Sequence, residues 1–400
     1  MDIRTGRPVT LAPRGMVTSP HSLASAAGAD VLRSGGSAVD AAIATTAVLS
    51  VVYPHMTGIG GDAFWLIWDA KAGKALYLDG GGRAAASASL EHFAGQGLRE
   101  LPYRGVVPAT LTTPGAVASW DAAHKAHGRL PLARLLEPAI GYASDGFPVT
   151  ARLASWIAAS PEAARIFLPQ GAPPRAGAKL VNRDLARTLG LIAAGGRDGF
   201  YMGEAGAELD RFSRASGGFF RSADLARQDA RWGSPLATRY RDVTVLNTPP
   251  PTQGFAVLEM LNLLEPLELS GKPITGADWM HLLVQAKQIA YHDRDRWLAD
   301  PAFEHVPVDM LLSKDYAAER RKLMSPQTAL PWDAVPSYGS LKGDTTYLAV
   351  VDGEGNAVSL IQSLYGGFGS AVVAGRTGIV LQNRAAYFSL DPASPNRLAP

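Results

Sequence analysis

Two adjacent threonines, Thr345 and Thr346, follow the acidic residue Asp344 at the start of an apolar, β-branched run. A hydroxyl is a weak nucleophile until a base takes its proton. Cutting the chain before Thr345 would set a new α-amine beside the Thr345 hydroxyl, and that amine can serve as the base. An α-amine titrates near pH 8, so much of it is available at neutrality. The same two residues also read as an ordinary threonine-rich strand start.

The elements around them must hold such a nucleophile in place. Thr346-Tyr347-Leu348-Ala349-Val350-Val351 reads as a strand, Asp352 to Asn356 as a turn, and Ala357-Val358-Ser359-Leu360-Ile361 as the returning strand. Upstream, Ser22 to Arg33 reads as a helix stopped by Gly35-Gly36. Ser37 is placed to cap a second helix, with Asp40 as its capping-box partner. That helix, Ala38 to Val52, is apolar nearly all round and therefore must be buried. Short strands are expected at 64–69 and 75–79, and helices at 116–127, 132–144, 182–194 and 279–298. The Pro/Ala/Gly-rich stretch 161–178 reads as a surface excursion, and 326–342 as the flexible linker that a cleavage site needs. Helices and strands fall in blocks, which favours layered α/β packing over a doubly wound parallel sheet.

Composition narrows the function classes. The 400 residues are 47% hydrophobic, enough for a large core, and the formal net charge is +2. The basic residues are scattered, so no nucleic-acid stripe is present. No cysteine exists, which rules out disulfides and thiolate metal sites. His124 and His127 lie three apart without an evident third ligand and read as a solvated helix face. No apolar run is long enough to span a membrane, and the first residues do not resemble a secretory leader. A cytoplasmic location is the expectation.

Several motifs have plainer explanations. Gly58-x-Gly60-x-x-Ala63 mimics a dinucleotide fingerprint, yet a strand pattern follows it where a helix is required. Asp352-x-Glu354-x-Asn356 mimics a calcium loop but has Ala357 where glycine is needed. His292-Asp293-Arg294-Asp295-Arg296 reads as a salt-bridged helical face. No G-x-S-x-G nucleophile elbow occurs.

Six segments in order resemble the γ-glutamyltransferase family of N-terminal nucleophile hydrolases. Leu32-Arg33-Ser34-Gly35-Gly36-Ser37-Ala38-Val39-Asp40-Ala41-Ala42 is similar to the family's G-G-N-A-V-D-A-A helix. Gly58-Ile59-Gly60-Gly61-Asp62-Ala63-Phe64 is similar to its G-x-G-G-G-x-F segment. Thr113-Pro114-Gly115-Ala116-Val117 and Pro249-Pro250-Pro251-Thr252-Gln253-Gly254 follow. Tyr291-His292-Asp293-Arg294 resembles its Y-A-D-R, and Gly375-Arg376-Thr377-Gly378-Ile379-Val380-Leu381-Gln382-Asn383 its G-E-S-G-I-L-L-N-N. The resemblance implies a four-layer αββα sandwich and a self-processing amidase cut between Asp344 and Thr345. Residues 1–344 would form the large-subunit region and 345–400 the start of the small catalytic subunit, interleaved in one domain.

Family roles carry over by position. Thr345 aligns with the nucleophile, Thr346 with the second threonine of the pair, and Ser363 with a hydroxyl residue that hydrogen-bonds the nucleophile. The substrate pocket departs from the pattern. Tyr365, Arg384 and Tyr387 stand where the family has the Asn, Gln or Glu, and Asp that bind a substrate α-amino group. The family arginine for the α-carboxylate aligns with Gly81, and Arg83 lies two residues on. An ammonium beside Arg384 would be repelled, whereas a carboxylate would pair with the guanidinium fork. The pattern therefore favours a small anionic amide, with an oxamate amidohydrolase-like enzyme first. A cephalosporin-acylase-like amidase and γ-glutamyl transfer are the alternatives. No metal or organic cofactor is implied. The two fragments are expected to stay associated, and a homo-oligomer is compatible with the sequence. The chain stops before the segment that carries the family's Ser-Ser pair and Gly-Gly oxyanion donors, which suggests a precursor missing its C-terminal part. The reading of another class is a processing-dead homologue with a structural or binding role.

Overall fold

A fifteen-residue helix without a polar face cannot lie on a surface, and every residue of Ala38–Val52 is buried. We label it α2, and Ser22–Arg33, which packs along it, α1. Ser37 caps α2 as the sequence predicts. Its Oγ accepts from the Asp40 amide at 3.1 Å, and Asp40 Oδ2 accepts from the Ser37 amide at 3.0 Å. Asp40 Oδ2 also accepts from the amides of Arg129 and Leu130, and Asp352 Oδ2 accepts from that of Ala38. The start of the buried helix is thus tied to two distant loops.

The computed structural model describes residues 9–158, 167–168, 171–335 and 345–400. The two stretches read as excursion and linker lie partly outside these residues, as does Asp344. Among the described residues ten strands run in chain order: β1 Gly15–Thr18, β2 Asp62–Asp69, β3 Lys74–Gly80, β4 Phe147–Pro148, β5 Lys179–Leu180, β6 Arg231–Gly233, β7 Leu236–Tyr240, β8 Val243–Asn247, β9 Thr346–Asp352 and β10 Ala357–Ser363. Contacts divide the chain into a larger unit (Ala12–Gly233, Lys342–Pro392, Arg397–Pro400) and a smaller one (Met1–Leu11, Ser234–Leu341, Ala393–Asn396).

In the larger unit, six strands form one antiparallel sheet in the order β1-β9-β10-β2-β3-β6. Side chains alternate between its faces. Leu348, Val350, Val358, Leu360, Trp65 and Ile67 face α2 and the helix Ala116–His127 and are buried there. Polar groups stitch this interface. Trp65 Nε1 donates to Ser119 Oγ, Trp120 Nε1 donates to Gln362 Oε1, and Gln362 Nε2 donates to Ser50 Oγ, at 2.9, 2.9 and 3.0 Å. The other face carries Met16, Trp68, Tyr347, Val351 and Ile361, all exposed. Strands β4 and β5 pair separately.

The expected helices appear as Ala116–His127, Leu132–Asp145, Arg183–Tyr201 and Ala277–Trp297. The third runs seven residues past its predicted end at Ala194, across a non-helical Gly196. Glu204–Ala215 and Gly254–Leu264 were not foreseen. No helix among the described residues is long and apolar enough to cross a membrane.

The smaller unit holds the β7–β8 hairpin and the helices Gly254–Leu264, Ala277–Trp297 and Lys314–Arg321, packed around Leu263, Leu282, Ala286, Ile289 and Ala317. The expected salt-bridged face at 292–296 is in part an interior. Asp293 and Arg294 are buried. Asp293 accepts from Arg320 Nε at 3.0 Å and from Tyr316 Oη at 3.1 Å, both on the neighbouring helix. Arg294 pairs with Asp295 and donates to Gln253 Oε1. Helical spacing shows which residues share a face, but not that a third helix covers it.

Candidate active site

Register places the nucleophile candidate. In β9 and β10, Thr346 pairs with Gln362. Continuing that register by one residue sets Thr345 level with Ser363. Ser363 pairs in turn with Asp62 on β2, and Ala63 pairs with Gly80 on β3, so Gly81 follows in the same row. Thr345, Ser363, Asp62 and Gly81 thus cross four neighbouring strands at one end of the sheet. Thr345 is exposed there, directly after the residues outside the description. Ser363 Oγ accepts from the Tyr365 amide at 2.9 Å.

Thr346 is not brought to this row. Successive residues of a strand face opposite sides, and its side chain is buried on the helix-covered face. Its Oγ1 has no hydrogen-bond partner among the described residues.

Arg384 sits on the short 3-10 helix Arg384–Tyr387. Its guanidinium is not a lone cation. Nε lies 2.6 Å from Asp62 Oδ2, and Nη2 donates to the Gly82 carbonyl. The Arg384 side chain is 27% exposed and that of Asp62 only 3%. Asp62 Oδ1 accepts from the amides of Gly82 (2.8 Å) and Gly115 (3.1 Å) and from Gln382 Nε2 (3.1 Å). Burial pushes the Asp62 carboxyl above its ordinary value. Arg384 and the bonds from Gly82, Gln382 and Gly115 oppose that rise. Each of these neighbours is a donor, so the ionised carboxylate is the form the geometry serves.

The glycines around Asp62 permit this close approach. A Cβ on Gly82 would overlap the Thr113 carbonyl oxygen, and one on Gly61 that of Ser363. Arg83 is pinned by its backbone, its amide donating to Gln228 Oε1 and its carbonyl accepting from the Thr113 amide, while its side chain is exposed.

A loop from Leu364 to Ala371 closes one side. Tyr365, Phe368 and Ala371 hold left-handed φ values of 78°, 57° and 60°. Each such residue stores about 1–3 kcal/mol that its surroundings must offset. Asn383 Oδ1 accepts from the Gly366 amide, and its Nδ2 donates to the Tyr103 carbonyl. Arg104 Nη1 donates to the carbonyls of Gly367 and Gly369, both at 2.7 Å. The rings of Tyr365 and Tyr103 stand 6.4 Å apart. Tyr387 is half-buried at the end of the 3-10 helix.

Sequence reasoning passed over Asp62, Gln382, Asn383, Tyr103 and Arg104. Asp62 carried the clearest signal, an acid at the fourth glycine of G-x-G-G-G-x-F, while Gln382 and Asn383 lay inside a matched segment. His124 and His127 do not pair. His124 Nε2 bonds the Leu130 carbonyl, and His127 packs edge-on to Trp232. Among the described residues no group of three or more His, Asp or Glu is placed to hold a metal.

Comparison with known proteins sets this site in context. The family model described as Gamma-glutamyltranspeptidase matches residues 24–400. A glutathione hydrolase-like YwrD proenzyme of Bacillus subtilis is 41% identical over 392 residues, covering 96% of this chain and 73% of that protein. An oxamate amidohydrolase proenzyme of Klebsiella pneumoniae is 40% identical over 398 residues, covering 96% and 74%. The crystal structure of a cephalosporin acylase from Bacillus halodurans superposes with a TM-score of 0.91 at 39% identity, covering 98% of this chain and 74% of that one.

Proposed function

This chain belongs to the gamma-glutamyltranspeptidase family, with the N-terminal nucleophile fold of amide-bond hydrolases, and from that premise we infer that it hydrolyses a small carboxylate-bearing amide after cutting itself before Thr345. The observation that carries the reading is the row of Thr345, Ser363 and Asp62, with Arg384 docked on Asp62. In the precursor, Thr345 Oγ attacks the Asp344 carbonyl carbon. The peptide nitrogen leaves as the α-amine of Thr345, and water then hydrolyses the resulting ester. Fragments 1–344 and 345 onward result. In turnover the freed α-amine takes the Thr345 hydroxyl proton, Oγ attacks the substrate amide, and the amine product leaves. Water attacks the acyl-threonine and releases the acid. Ser363, level with Thr345 across the ladder and aligned with the family's hydroxyl residue, bonds the nucleophile and orients it.

The substrate class follows from what can still accept or donate. A γ-glutamyl substrate presents an ammonium. The carboxylate in the row is that of Asp62; its Oδ1 is taken by Gly82, Gly115 and Gln382, and its Oδ2 is paired with Arg384. An arriving ammonium would meet the remaining N–H groups of Arg384, donor against donor, with no acceptor offered to it. A carboxylate meets donors. Oxamate, which would give oxalate and ammonia, is the smallest such amide, and the 40% identical oxamate amidohydrolase proenzyme supports it.

The first test is the intact mass of wild-type protein beside Thr345→Ala. Wild type is expected to split before Thr345 and the variant to stay whole. Processed wild type is then expected to release ammonia from oxamate and to leave a γ-glutamyl anilide untouched. Two intact chains in folded samples would overturn the nucleophile assignment, and rapid turnover of the anilide would overturn the substrate class.

A further inference from the structure

A guanidinium has two edges that can take a carboxylate with two parallel bonds, one through Nε and Nη2 and the other through Nη1 and Nη2. In Arg384 the first edge is turned to Asp62: Nε lies 2.6 Å from Asp62 Oδ2 as an ion pair, without the alignment of a hydrogen bond, and Nη2 donates to the Gly82 carbonyl. Nη1 has no partner among the described residues. Asp62 itself cannot swing away, because Oδ1 holds Gly82, Gly115 and Gln382 on three separate segments. Thr345 lies two strands from Asp62, about 10 Å between backbones at ordinary strand spacing.

We propose that Asp62 is the positioning residue for substrate choice: it takes the Nε edge of Arg384 and presents the Nη1–Nη2 edge to the carboxylate of a short-chain amide at Thr345. The proposal rests on the anionic-amide reading above. It adds that selectivity comes from an oriented fork and not from excess charge, since Asp62 and Arg384 together are neutral. The ligand class is a carboxylate close to the scissile amide. A neutral amide of the same shape gains nothing from the fork.

The test compares oxamate with oxamide, the same skeleton with its carboxylate replaced by a carboxamide. Processed wild type is expected to prefer oxamate. Asp62→Asn keeps an oxygen for the three donors on Oδ1, but it puts a neutral NH2 group where the carboxylate oxygen pairs with Arg384. Arg384 must then leave its place. The ratio of kcat/KM for oxamate over oxamide is expected to fall about tenfold or more, the size of one charge-assisted bond, through KM more than kcat. Arg384→Lys keeps a cation opposite Asp62 and loses the fork, so it is expected to lose the same preference. A purely structural ion pair would instead be rescued by lysine. Self-cleavage before Thr345, read by intact mass, reports folding of each variant. If Asp62→Asn does not fold, Arg384→Lys decides. An Asn variant that keeps the oxamate preference, or a Lys variant that restores it, overturns the proposal. Wild type with no oxamate preference overturns the anionic-amide reading and this inference together; wild type with the preference and an unchanged Asn variant overturns this inference alone.

Discussion

Glu259 sits in the interior of the smaller unit, and neither of its carboxyl oxygens has a hydrogen-bond donor among the described residues. Its carboxyl is held far above the usual carboxylate range, first by burial and then by the neighbouring Asp293 carboxylate, with Arg320 only partly offsetting them. Asp293 already takes Arg320 and Tyr316, so it holds the charge and Glu259 keeps its proton. In the unfolded chain Glu259 ionises around 4.5. At pH 7 folding must therefore drive a proton onto it. The difference of 2.5 pH units, at about 1.4 kcal/mol each, makes this cost about 3.5 kcal/mol. The result does not depend on how far above 7 the folded value lies.

Because the folded-state pKa is raised, the folded state binds more protons. Stability from this group is fully present below pH 4.5 and falls as pH rises through the neutral range. Glutamine copies the shape of the protonated acid and can donate to Asp293 without taking up a proton. Glu259→Gln is thus expected to match wild type near pH 4.5 and to exceed it by about 3.5 kcal/mol at pH 7. Urea unfolding of both proteins at pH 5, 6, 7 and 8 measures this, with the difference growing by about 1.4 kcal/mol per unit. Parallel curves, or a constant loss in the variant, would show that Glu259 is ionised in the fold and would refute the reasoning.

Two further outcomes are expected. Ser37→Ala removes the acceptor for the Asp40 amide at the start of α2 and should lower stability by about 1 kcal/mol in denaturant unfolding, with no change in pH dependence. His55 is buried among Tyr53, Trp156 and Phe368, and burial, then Arg152 and His21, lowers its pKa to about 3. The unfolded chain therefore binds the proton first. Stability from this group is present above pH 6.5 and lost as pH falls toward 3, about 2 kcal/mol by pH 5. His55→Phe should remove that acid sensitivity when unfolding midpoints at pH 7 and pH 5 are compared.

Local rules made much of the larger unit legible. The all-apolar run 38–52 admits only a buried helix, Ser37 and Asp40 mark its start, and the 346–361 pattern dictates the hairpin that carries Thr345 and Ser363. Spacing of this kind depends on a few consecutive residues, which the chain itself supplies. The burial of Asp293 was not legible, because the helix that covers it lies over twenty residues downstream and periodicity says nothing of which helix packs where. Thr346 is a related case. Alternation along β9 sets it opposite Thr345, but only the sheet shows that its side is the one under α2.

By itself the sequence determined which groups are available: a hydroxyl at Thr345 behind a stretch poor in periodic apolar residues, a second hydroxyl at Ser363, and a guanidinium where the family has an acid or an amide. Tertiary structure alone decided the electrostatic state of that guanidinium. Asp62 and Arg384 are separated by more than three hundred residues, and neither residue type requires the other. Only the pairing of β10 with β2, and the close approach that Gly61 and Gly82 allow, bring them within 2.6 Å. An ion pair depends on distance in space, which a linear chain does not state until it folds.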